Sequence, residues 1–492
     1  MSSSKLSKLY DCARKSFHGR FIGPYQPDGI KWMLDRETSP QYPGGMLCDE
    51  MGLGKTAQTV ATMLGNPLPR TLIIVPKSVM TQWEDEIKRF APSLSVSCHY
   101  NHTDGVPDTH VVICSYGITF NRKKLESYTP LHRVSWDRVI LDEGHEIRNA
   151  NSKTHKSICA LRGRIHWILS GTPIYNSMKD FVGLCGFLGM NKRDVQAATD
   201  SVREKYILRR TKEDVCAHNK RLELPPCDFA NVELEMYPEE KEVYDKAFTE
   251  AQNAINEIFA TTTNIAANNM RILECLLRVR QCMAHPQLYL DGIAIKTETD
   301  VTLYEGRSKK FDTLISSIKG HPKEKSLIFC QFITEMDMIQ QTLMDAGHTV
   351  YRIDGSVSGT GRDERLRNFK SHDGGCVFVI QVKSGGVGLN LQEATRVYIT
   401  SPAWNPATEL QAIGRSHRTG QTSKVVVRKF IYDGDDELPS VEQSIMALQG
   451  AKSTICAEVL NDPRLQGKIP QGSKGGIGIR QVKNIFSTKK IK

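Results

Sequence analysis

Short apolar runs that alternate with helix-like stretches are the feature that most limits the fold of this chain. The runs are apolar almost throughout, a pattern typical of parallel strands that are covered on both faces. They lie at Met46–Cys48, Thr71–Val75, Val111–Ile113, Val139–Leu141 and Ile165–Leu169 in the first half, and at Ser326–Cys330, Thr349–Ile353, Cys376–Ile380, Arg396–Ile399 and Val425–Ile431 in the second. The sequence therefore predicts an α/β protein with two parallel-sheet lobes.

A helical pattern separates the two sets of runs. Apolar residues after Tyr237 recur every three or four positions, which is the spacing of an amphipathic helix. The residues that carry this spacing are Tyr244, Phe248, Ala251, Ile255 and Ile258, followed by Ile272, Leu273, Leu276, Leu277 and Val279. Because no strand-like runs alternate with these helical stretches, we expect a helical insertion and its linker over residues 226–306.

These patterns divide the 492 residues, which are too many for one core. Lobe 1 is predicted over residues 21–225, after an N-terminal extension of residues 1–20. Lobe 2 is predicted over residues 307–450, and residues 451–492 hold the end of a C-terminal helix and a tail. The tail has no acidic residue after Asp462 but eight basic ones. It is either a solvated end or a segment for DNA binding or nuclear targeting.

The composition narrows the class of protein. No run approaches the roughly 18 apolar residues of a membrane span. The polar, basic N-terminus lacks an apolar signal core, so secretion is not expected. The 13 cysteines are scattered without a CxxC pair, which favours a reducing compartment and speaks against zinc. The formal net charge of +10 is compatible with a nucleic-acid partner.

A candidate phosphate loop follows the first apolar run. Met46–Cys48 leads into Gly52, Gly54, Lys55 and Thr56, and a helix is predicted to begin there. The backbone N–H groups of such a loop and the N-terminus of the helix bind phosphate, the lysine reaches the β- and γ-phosphates, and the hydroxyl holds magnesium. The Gly-Lys-Thr tripeptide is equally compatible with an ordinary helix start, since Asp49 stands where the general pattern has glycine.

Two carboxylates follow a later run. Asp142 and Glu143 come directly after Val139–Leu141, at the end of a strand where an open parallel sheet binds its ligands. An acidic pair in this position is often only a turn. Downstream of a phosphate loop, however, Asp142 is a candidate magnesium ligand, and Glu143 is a candidate for orienting or deprotonating the attacking water.

Four motifs in this order resemble those of Swi/Snf-type ATPases of helicase superfamily two. They are DEMGLGKT (residues 49–56), DEGH (142–145), LSGTP (169–173) and QAIGRSHRTGQ (411–421), and the similarity extends from about Phe21 to Ala451. The resemblance implies two RecA-like lobes that bind magnesium and hydrolyse ATP in the cleft between them. It also implies translocation along double-stranded DNA and action on DNA-bound proteins or nucleosomes.

The resemblance also assigns roles to residues. Nucleotide binding falls to Gln26, Asp49, Gly52, Gly54, Lys55, Thr56 and Gly388, and magnesium binding to Thr56 and Asp142. Lys55, Asp142, Glu143, Arg415 and Arg418 are the candidate catalytic residues, with both arginines directed at the γ-phosphate. Ser170, Thr172 and Gln411 are candidates for coupling hydrolysis to movement. The candidate DNA contacts are Lys77, Ser115, Tyr116, Lys383, Ser384, Gly385 and Trp404.

The chain departs from the family pattern in places. Ala403 precedes Trp404 where a second tryptophan is usual, and Gly414 stands where aspartate is common. The missing CxxC pairs argue against the RING finger found in related branches, and reader domains have no room. A bare motor of this kind is similar to the compact members encoded by large DNA viruses, and a nuclear or viral replication site is the expected location.

Alternative functions remain open from the sequence. They are a strand-separating helicase, a non-catalytic DNA-binding regulator with a degenerate site, and a metabolic P-loop kinase. The presence of every candidate catalytic residue argues against the regulator. A kinase would need neither the second lobe nor its paired arginines. DNA translocation is therefore the preferred interpretation.

Overall fold

The computed structural model describes residues 3–101, 103–120, 128–171, 178–216, 224–261, 268–357, 359–382, 389–418, 420–434, 440–449 and 485–486. The chain divides into two compact units, and the second begins with Leu224. We call them lobe 1 and lobe 2. Each contains one parallel sheet, so the predicted α/β fold with two parallel-sheet lobes is confirmed.

Lobe 1 is built on a seven-stranded sheet with the order β3-β4-β2-β5-β6-β1-β7, in which all neighbouring strands are parallel. The strands are β1 (Gly44–Leu47), β2 (Thr71–Val75), β3 (Val96–His99), β4 (Val111–Ser115), β5 (Ser135–Asp142), β6 (Arg162–Leu169) and β7 (Ile207–Leu208). The five predicted runs of this lobe lie in β1, β2, β4, β5 and β6. The strands β3 and β7 were not predicted, and both lie at the edges of the sheet.

Nine helices accompany the sheet in the described part of lobe 1. They are α1 (Ser3–Ser16), α2 (Tyr25–Glu37), α3 (Lys55–Gly65), α4 (Met80–Phe90), α5 (Lys153–Cys159), α6 (Met178–Phe187), α7 (Lys192–Ala197), α8 (Thr199–Tyr206) and α9 (Lys212–Cys216). The stretch that we assigned to an N-terminal extension therefore holds a helix. Ala13 of α1 is fully buried, and the Cys12 thiol lies 3.5 Å from the Leu64 carbonyl oxygen.

A buried ion pair connects α2 with the middle of the sheet. The Arg138 guanidinium of β5 donates two hydrogen bonds of 2.6 Å to the Glu37 carboxylate. Glu37 also accepts from the Trp167 indole at 2.9 Å and from the Asn66 amide at 2.6 Å. Because a buried charge is tolerated only when it is paired and hydrogen-bonded, this network fixes α2, α3, β5 and β6 against one another.

Lobe 2 contains a six-stranded parallel sheet with the order β10-β11-β9-β12-β13-β8. Its strands are β8 (Cys227–Leu234), β9 (Ser326–Cys330), β10 (Val350–Ile353), β11 (Val377–Gln381), β12 (Arg396–Ile399) and β13 (Val425–Tyr432). The stretch predicted as a helical insertion thus begins with a strand, and β8 pairs with β13 from Cys227–Val425 to Leu234–Tyr432. Polar residues along β8 hide its strand character.

The remainder of the predicted insertion is helical. It contains α10 (Pro238–Thr261), α11 (Asn269–Ala284) and α12 (Pro286–Thr297). The other helices of lobe 2 are α13 (Lys309–Lys319), α14 (Ile333–Asp345), α15 (Gly359–Ser371), α16 (Pro406–Ile413) and a closing helix over residues 441–449. The inner faces of α10 and α11, including Phe248, Ile255 and Ile272, join one core with the sheet.

Buried polar contacts connect α10 and α13 with other elements of lobe 2. The Tyr432 hydroxyl of β13 donates to the Glu240 carboxylate of α10 at 2.7 Å. Lys310 of α13 forms a buried ion pair with Glu442 at 2.5 Å and donates to the Ser401 hydroxyl at 3.1 Å. Across the described ranges, none of the helices has the length and apolar character that crossing a membrane requires.

Candidate active site

The loop after β1 has the backbone of a phosphate-binding loop. Gly52 and Gly54 have φ angles of +92° and +73°, a region that favours glycine because it carries no Cβ. A Cβ at Gly54 would lie 2.3 Å from the Gln26 amide nitrogen. Lys55 and Thr56 then open α3, which directs the N-terminus of that helix toward the loop. The Lys55 ammonium group lies above the loop and donates to the Asp49 carbonyl at 2.8 Å.

Gln26 lies beside this loop. Its side chain is 1% exposed, accepts from the Ile22 backbone N–H at 2.6 Å and donates to the Leu53 carbonyl at 3.3 Å. Lobe 1 therefore brings Gln26 together with Gly54 and Lys55, as the predicted nucleotide site requires. Its predicted role in reading adenine stays a prediction.

The Asp49 carboxylate is bound by the protein itself. Arg210 donates to both of its oxygens, with Nε–Oδ1 at 2.9 Å, and the Gln58 amide donates to Oδ2 at 3.0 Å. Arg210 also donates to the Tyr25 carbonyl, and the Glu50 backbone N–H donates to the Arg210 carbonyl at 2.9 Å. Asp49 thus anchors the loop to the segment that follows β7, and we infer that its part in nucleotide binding is to hold the backbone in place.

Replacing Arg210 with alanine tests this anchor. The change leaves the Asp49 carboxylate, which is 0% exposed, buried without its cation, and we expect the free energy of unfolding to fall by about 3–5 kcal/mol. The matched control is Arg203→Ala, which removes an ion pair to Asp200, a side chain that is 82% exposed, and should cost less than about 1 kcal/mol. Urea denaturation followed by tryptophan fluorescence measures both. Equal losses for the two variants would contradict the proposed anchor.

Asp142 ends β5 and is held from three sides. The Trp83 indole N–H donates to its Oδ2 at 2.8 Å, and the Glu143 backbone N–H donates to its Oδ1 at 3.0 Å. The Tyr116 hydroxyl donates to its backbone carbonyl at 2.7 Å. Burial and the negative charge of Glu143 raise the pKa of the Asp142 carboxyl, while the Trp83 hydrogen bond and the Lys55 charge lower it. Asp142 pairs with Leu169 of β6, and Leu169 pairs with Leu47 at the end of β1, so the sheet places Asp142 near the phosphate loop.

Glu143 lies at a sharp turn after β5. Its φ of +50° is unusual for a residue with a side chain, costs about 1–3 kcal/mol and occurs preferentially at functional sites. The His145 Nδ1 lies 3.3 Å from a Glu143 carboxylate oxygen and 3.2 Å from the Ser170 hydroxyl. Burial lowers the pKa of His145 to about 4, so its imidazole is neutral near pH 7. His145 therefore connects Glu143 with the segment after β6.

The segment after β6 reaches the phosphate loop as well. Ser170 is fully buried, and its backbone N–H donates to the Leu47 carbonyl at 3.2 Å. A Cβ at Gly171 would lie 3.7 Å from the Lys55 ammonium nitrogen. Lobe 1 thus brings together Gln26, the loop, the carboxylate pair and Ser170. Thr172 lies outside the described residues.

The side-chain oxygen atoms of Asp142 and Thr56 are of the type that binds magnesium. Mg²⁺ in nucleotide sites is held by one or two protein oxygens together with phosphate oxygens and water. Asp142 supplies an oriented carboxylate near Lys55, and Thr56 supplies a hydroxyl in the first turn of α3. These residues fit the predicted ion, and their roles as ligands remain proposals.

Arg415 and Arg418 lie in a tightly held loop of lobe 2 after α16. The Arg415 side chain is 4% exposed, and its carbonyl accepts from the Leu391 N–H at 3.0 Å. Gln421 donates from its backbone N–H to the Arg418 carbonyl at 2.9 Å, and its amide bonds the Gln392 carbonyl at 2.8 Å. These bonds fix the backbone from which both guanidinium groups project.

Two other lobe 2 candidates, Trp404 and Gln411, lie next to and on α16. Gln411 is half-buried on that helix. Trp404 packs partly against the core, with the Arg280 guanidinium 5.0 Å from its ring centre. The α16 residue Glu409 accepts from the Ala403 N–H at 2.8 Å and from the Lys429 ammonium at 2.9 Å, which fixes the position of Trp404. The predicted residues Lys383, Ser384, Gly385 and Gly388 lie outside the described residues.

The three DNA-contact candidates of lobe 1 differ in exposure. Lys77 is exposed in a 3₁₀ turn that precedes α4. Ser115 and Tyr116 are each 8% exposed, and the Tyr116 hydroxyl is used by Asp142. Lys77 therefore remains the stronger candidate for a side-chain contact with phosphate.

Sequence reasoning missed three residues of this site, namely Arg210, Trp83 and His145. His145 lies in the quoted motif DEGH, which does not reveal what its side chain binds, and Arg210 lies in none of the quoted motifs. Trp83 carries no local signal, since an indole at that position of a helix is usually a core residue. Its partner Asp142 is 59 residues away.

Comparison with known families agrees with this geometry. The sequence matches the family described as the SNF2-related domain over residues 25–198 and 190–288, and the helicase conserved C-terminal domain over residues 309–420. The chain belongs to the SNF2 family of helicase-like ATPases. Use of ATP follows from membership in that family, and the expected resemblance to Swi/Snf-type ATPases is confirmed.

Individual relatives cover most of the chain. YwqA of Bacillus subtilis, named as an ATP-dependent helicase/translocase, is 31% identical in an alignment of 485 positions that covers 90% of this chain and 49% of that protein. A protein of Orgyia pseudotsugata multicapsid polyhedrosis virus, named as a global transactivator, is 27% identical and is covered to 91%, with 89% of this chain aligned. The human SWI/SNF-related regulator of chromatin subfamily A member 1 is 27% identical over 86% of this chain and is covered to 43%.

The chain thus spans about half the length of two of these relatives and most of the viral one. Among solved structures, the Sulfolobus solfataricus SWI2/SNF2 ATPase core in complex with double-stranded DNA is 26% identical. It covers 92% of this chain and is itself covered to 94%, with a TM-score of 0.39.

Proposed function

We propose that this chain is an ATP-dependent translocase on double-stranded DNA that remodels or displaces DNA-bound protein. The observation that supports it most is the convergence in lobe 1 of the phosphate loop, the Asp142–Glu143 pair and Ser170, connected through Lys55 and His145. The names of relatives as helicase/translocase and chromatin regulator agree with this activity.

Each residue has a proposed task. Lys55 neutralises the β- and γ-phosphates, and Glu143 orients and deprotonates the attacking water. Magnesium, held by Thr56 and Asp142, would neutralise charge on the same phosphates. Arg415 and Arg418 stabilise the charge that spreads over the transferred phosphoryl group. Ser170, which contacts His145, couples the hydrolysis of ATP to movement of the rest of lobe 1.

The proposed substrate surface is duplex DNA bound mainly through phosphate. The candidate electrostatic contacts with DNA are Lys77 in lobe 1 and the basic tail at residues 451–492. Contacts with phosphate carry no sequence information. Nucleosomes, other DNA-bound proteins and a nuclear or viral replication site are the corresponding proposals for partners and location. The relatives named as a chromatin regulator and as a viral transactivator support them.

Two substitutions in lobe 1 test the proposed hydrolysis. We expect Glu143→Gln to lower the duplex-stimulated ATPase rate by about 10²–10⁴-fold, the usual contribution of a general base, with folding intact. Lys55→Ala should also lower the rate, because the charge on the β- and γ-phosphates is then no longer neutralised. Glu146→Gln is the matched control, because Glu146 lies three residues after Glu143 and is exposed. Phosphate release with and without duplex DNA measures the effect. Full activity of Glu143→Gln would refute the assignment of the base.

Translocation and strand separation are distinguished by their products. A translocase displaces the third strand of a triplex that lies in its path, whereas a helicase releases one strand of a duplex. We expect ATP-dependent triplex displacement and no duplex unwinding. Efficient unwinding of a fluorescent duplex would favour the strand-separating alternative.

A further inference from the structure

Two segments of lobe 1, which carry the candidate DNA contacts Lys77, Ser115 and Tyr116, each donate a hydrogen bond to Asp142. The first runs from Leu72 to Trp83, and its indole N–H donates to the Asp142 carboxylate at 2.8 Å. The second runs from Ile113 to Gly117, and its Tyr116 hydroxyl donates to the Asp142 carbonyl at 2.7 Å. The bonds join separate elements to one residue, since they span 59 and 26 positions of the chain.

Each segment has one side at the surface and one side in the core. Lys77 and Ser78 are exposed, while Trp83, which follows in the first turn of α4, is 2% exposed. Gly117 is exposed, while Tyr116 beside it is 8% exposed. A phosphate bound by the exposed residues would therefore act on the turn that leads into α4, the helix that carries Trp83, and on the turn that carries Tyr116.

The sheet holds these turns close to Asp142. The strands β4, β2 and β5 are neighbours, with Val75 paired with Ser115 and Ile74 paired with Leu141. Their C-terminal ends therefore lie side by side, and a turn leaves each of them. Because packed interiors transmit strain, a displacement of the 3₁₀ turns at Lys77–Val79 and Tyr116–Ile118 would be passed to Asp142.

We propose that Trp83 and Tyr116 are positioning residues that make the orientation of Asp142 depend on bound duplex. An indole N–H can only donate, and its bond to the ionised Asp142 carboxylate is charge-assisted because the acceptor carries the charge. This bond holds the carboxylate in one rotamer. Tyr116 fixes the backbone of the same residue. Duplex on the two segments tightens both bonds and presents Asp142 correctly to the nucleotide. This inference rests on the proposed function, and it assigns the regulation of ATP hydrolysis by DNA to residues of lobe 1.

Four single variants test the proposal. Trp83→Phe removes the indole donor, and Tyr116→Phe removes only a hydroxyl and keeps the ring. The controls lose comparable bonds elsewhere in lobe 1: Trp136→Phe loses an indole bond of 3.0 Å to the Leu131 carbonyl, and Tyr206→Phe loses a hydroxyl bond of 3.5 Å to the Gln41 carbonyl. Trp136 and Tyr206 are also buried, at 2% and 5% exposed.

The first measurement is the ATPase rate at saturating ATP with and without duplex. We expect Trp83→Phe to lower the stimulation factor about tenfold or more, the usual effect of a lost hydrogen bond to a charged group. Tyr116→Phe should lower it about threefold to tenfold, since its partner is neutral. The duplex Kd and the KM for ATP should change less than threefold, and both controls should keep wild-type stimulation.

The second measurement does not depend on turnover. Binding of Mn²⁺ in the presence of a non-hydrolysable ATP analogue is followed by electron paramagnetic resonance, with and without duplex. In the wild type and the controls, duplex should tighten Mn²⁺ binding. In Trp83→Phe and Tyr116→Phe that tightening should be lost or reduced at least threefold, which a general loss of folding stability would not produce.

The outcomes distinguish a failure of the proposed function from a failure of the proposed role of Trp83 and Tyr116. A wild type that hydrolyses ATP without responding to duplex refutes the proposed function. A wild type that responds, together with both variants responding equally, refutes only the role of Trp83 and Tyr116. A rise in duplex Kd that accounts for the whole loss of stimulation also refutes it, because the side chains would then act in binding. Since Tyr116→Phe removes a single oxygen atom, it decides the question even if Trp83→Phe does not fold.

Discussion

Arg418→Ala is expected to lower the duplex-stimulated ATPase rate by about 10³–10⁵-fold, the range measured for arginine fingers in nucleotide hydrolysis. The physical reason is that negative charge spreads over the transferred phosphoryl group, and a guanidinium fork held by a fixed backbone stabilises it without rearrangement. Arg418 is the better target of the pair, because it is only half-buried. Arg415 is 4% exposed, so its loss would also disturb the packing of lobe 2.

The control for this variant is Arg367→Ala. Arg367 is an exposed arginine on α15 of the same lobe, and its removal should leave the rate unchanged. Arg418→Lys should restore only a small part of the activity, since lysine lacks the planar fork of arginine. ATP binding by Arg418→Ala, measured by isothermal titration calorimetry, should stay within about tenfold of the wild type because the candidate nucleotide-binding residues of lobe 1 are unchanged. A rate within tenfold of wild type would remove Arg418 from the catalytic set.

Affinity for duplex DNA is expected to fall by about 10³–10⁵-fold between 50 and 200 mM salt if about six to ten phosphates are contacted. Each neutralised phosphate releases condensed counterions, so the logarithm of the binding constant falls linearly with the logarithm of the salt concentration. Fluorescence anisotropy with duplexes of unrelated sequence measures the slope. A flat response would contradict the phosphate-based DNA surface proposed above.

The contribution of a single residue, Lys77, to the salt dependence of duplex binding can be measured in the same way. Lys77→Ala should reduce the magnitude of the salt slope by about 1, since one phosphate contact is lost. Lys88→Ala is the matched control, because Lys88 lies on the adjoining helix α4, is 59% exposed and is paired with Glu84. An equal change in slope for both variants would indicate a general charge effect in place of a contact at Lys77.

Strands covered on both faces could be predicted from sequence, and strands at the edges mostly could not. The fully buried β2, β4 and β9 are apolar at nearly every position, so their runs stand out. The unpredicted β3, β7 and β8 all lie at sheet edges. In β8, exposed and partly buried residues alternate over most of its length. Because polar residues interrupt the apolar ones, the sequence of β8 contains no apolar run that would predict a strand.

The candidate site could be located from sequence, but its internal connections could not. Motifs mark Lys55, Asp142 and Glu143 because the chemistry of phosphate and magnesium demands those residue types at particular ends of strands. The Arg210–Asp49 ion pair and the Trp83–Asp142 bond join residues 161 and 59 positions apart. Such contacts depend on the packing of the whole lobe, and no local spacing encodes them.

The position of β8 has a consequence for how the protein is made. This strand is the first of lobe 2 along the chain, yet its partner β13 lies about 200 residues further on, because Cys227 pairs with Val425. At about 5–20 residues per second, a ribosome takes roughly 10–40 s to deliver that partner. During this interval β8 of the nascent chain lacks its pairing partner β13. The polar side chains of β8 discourage pairing with the strands of other chains.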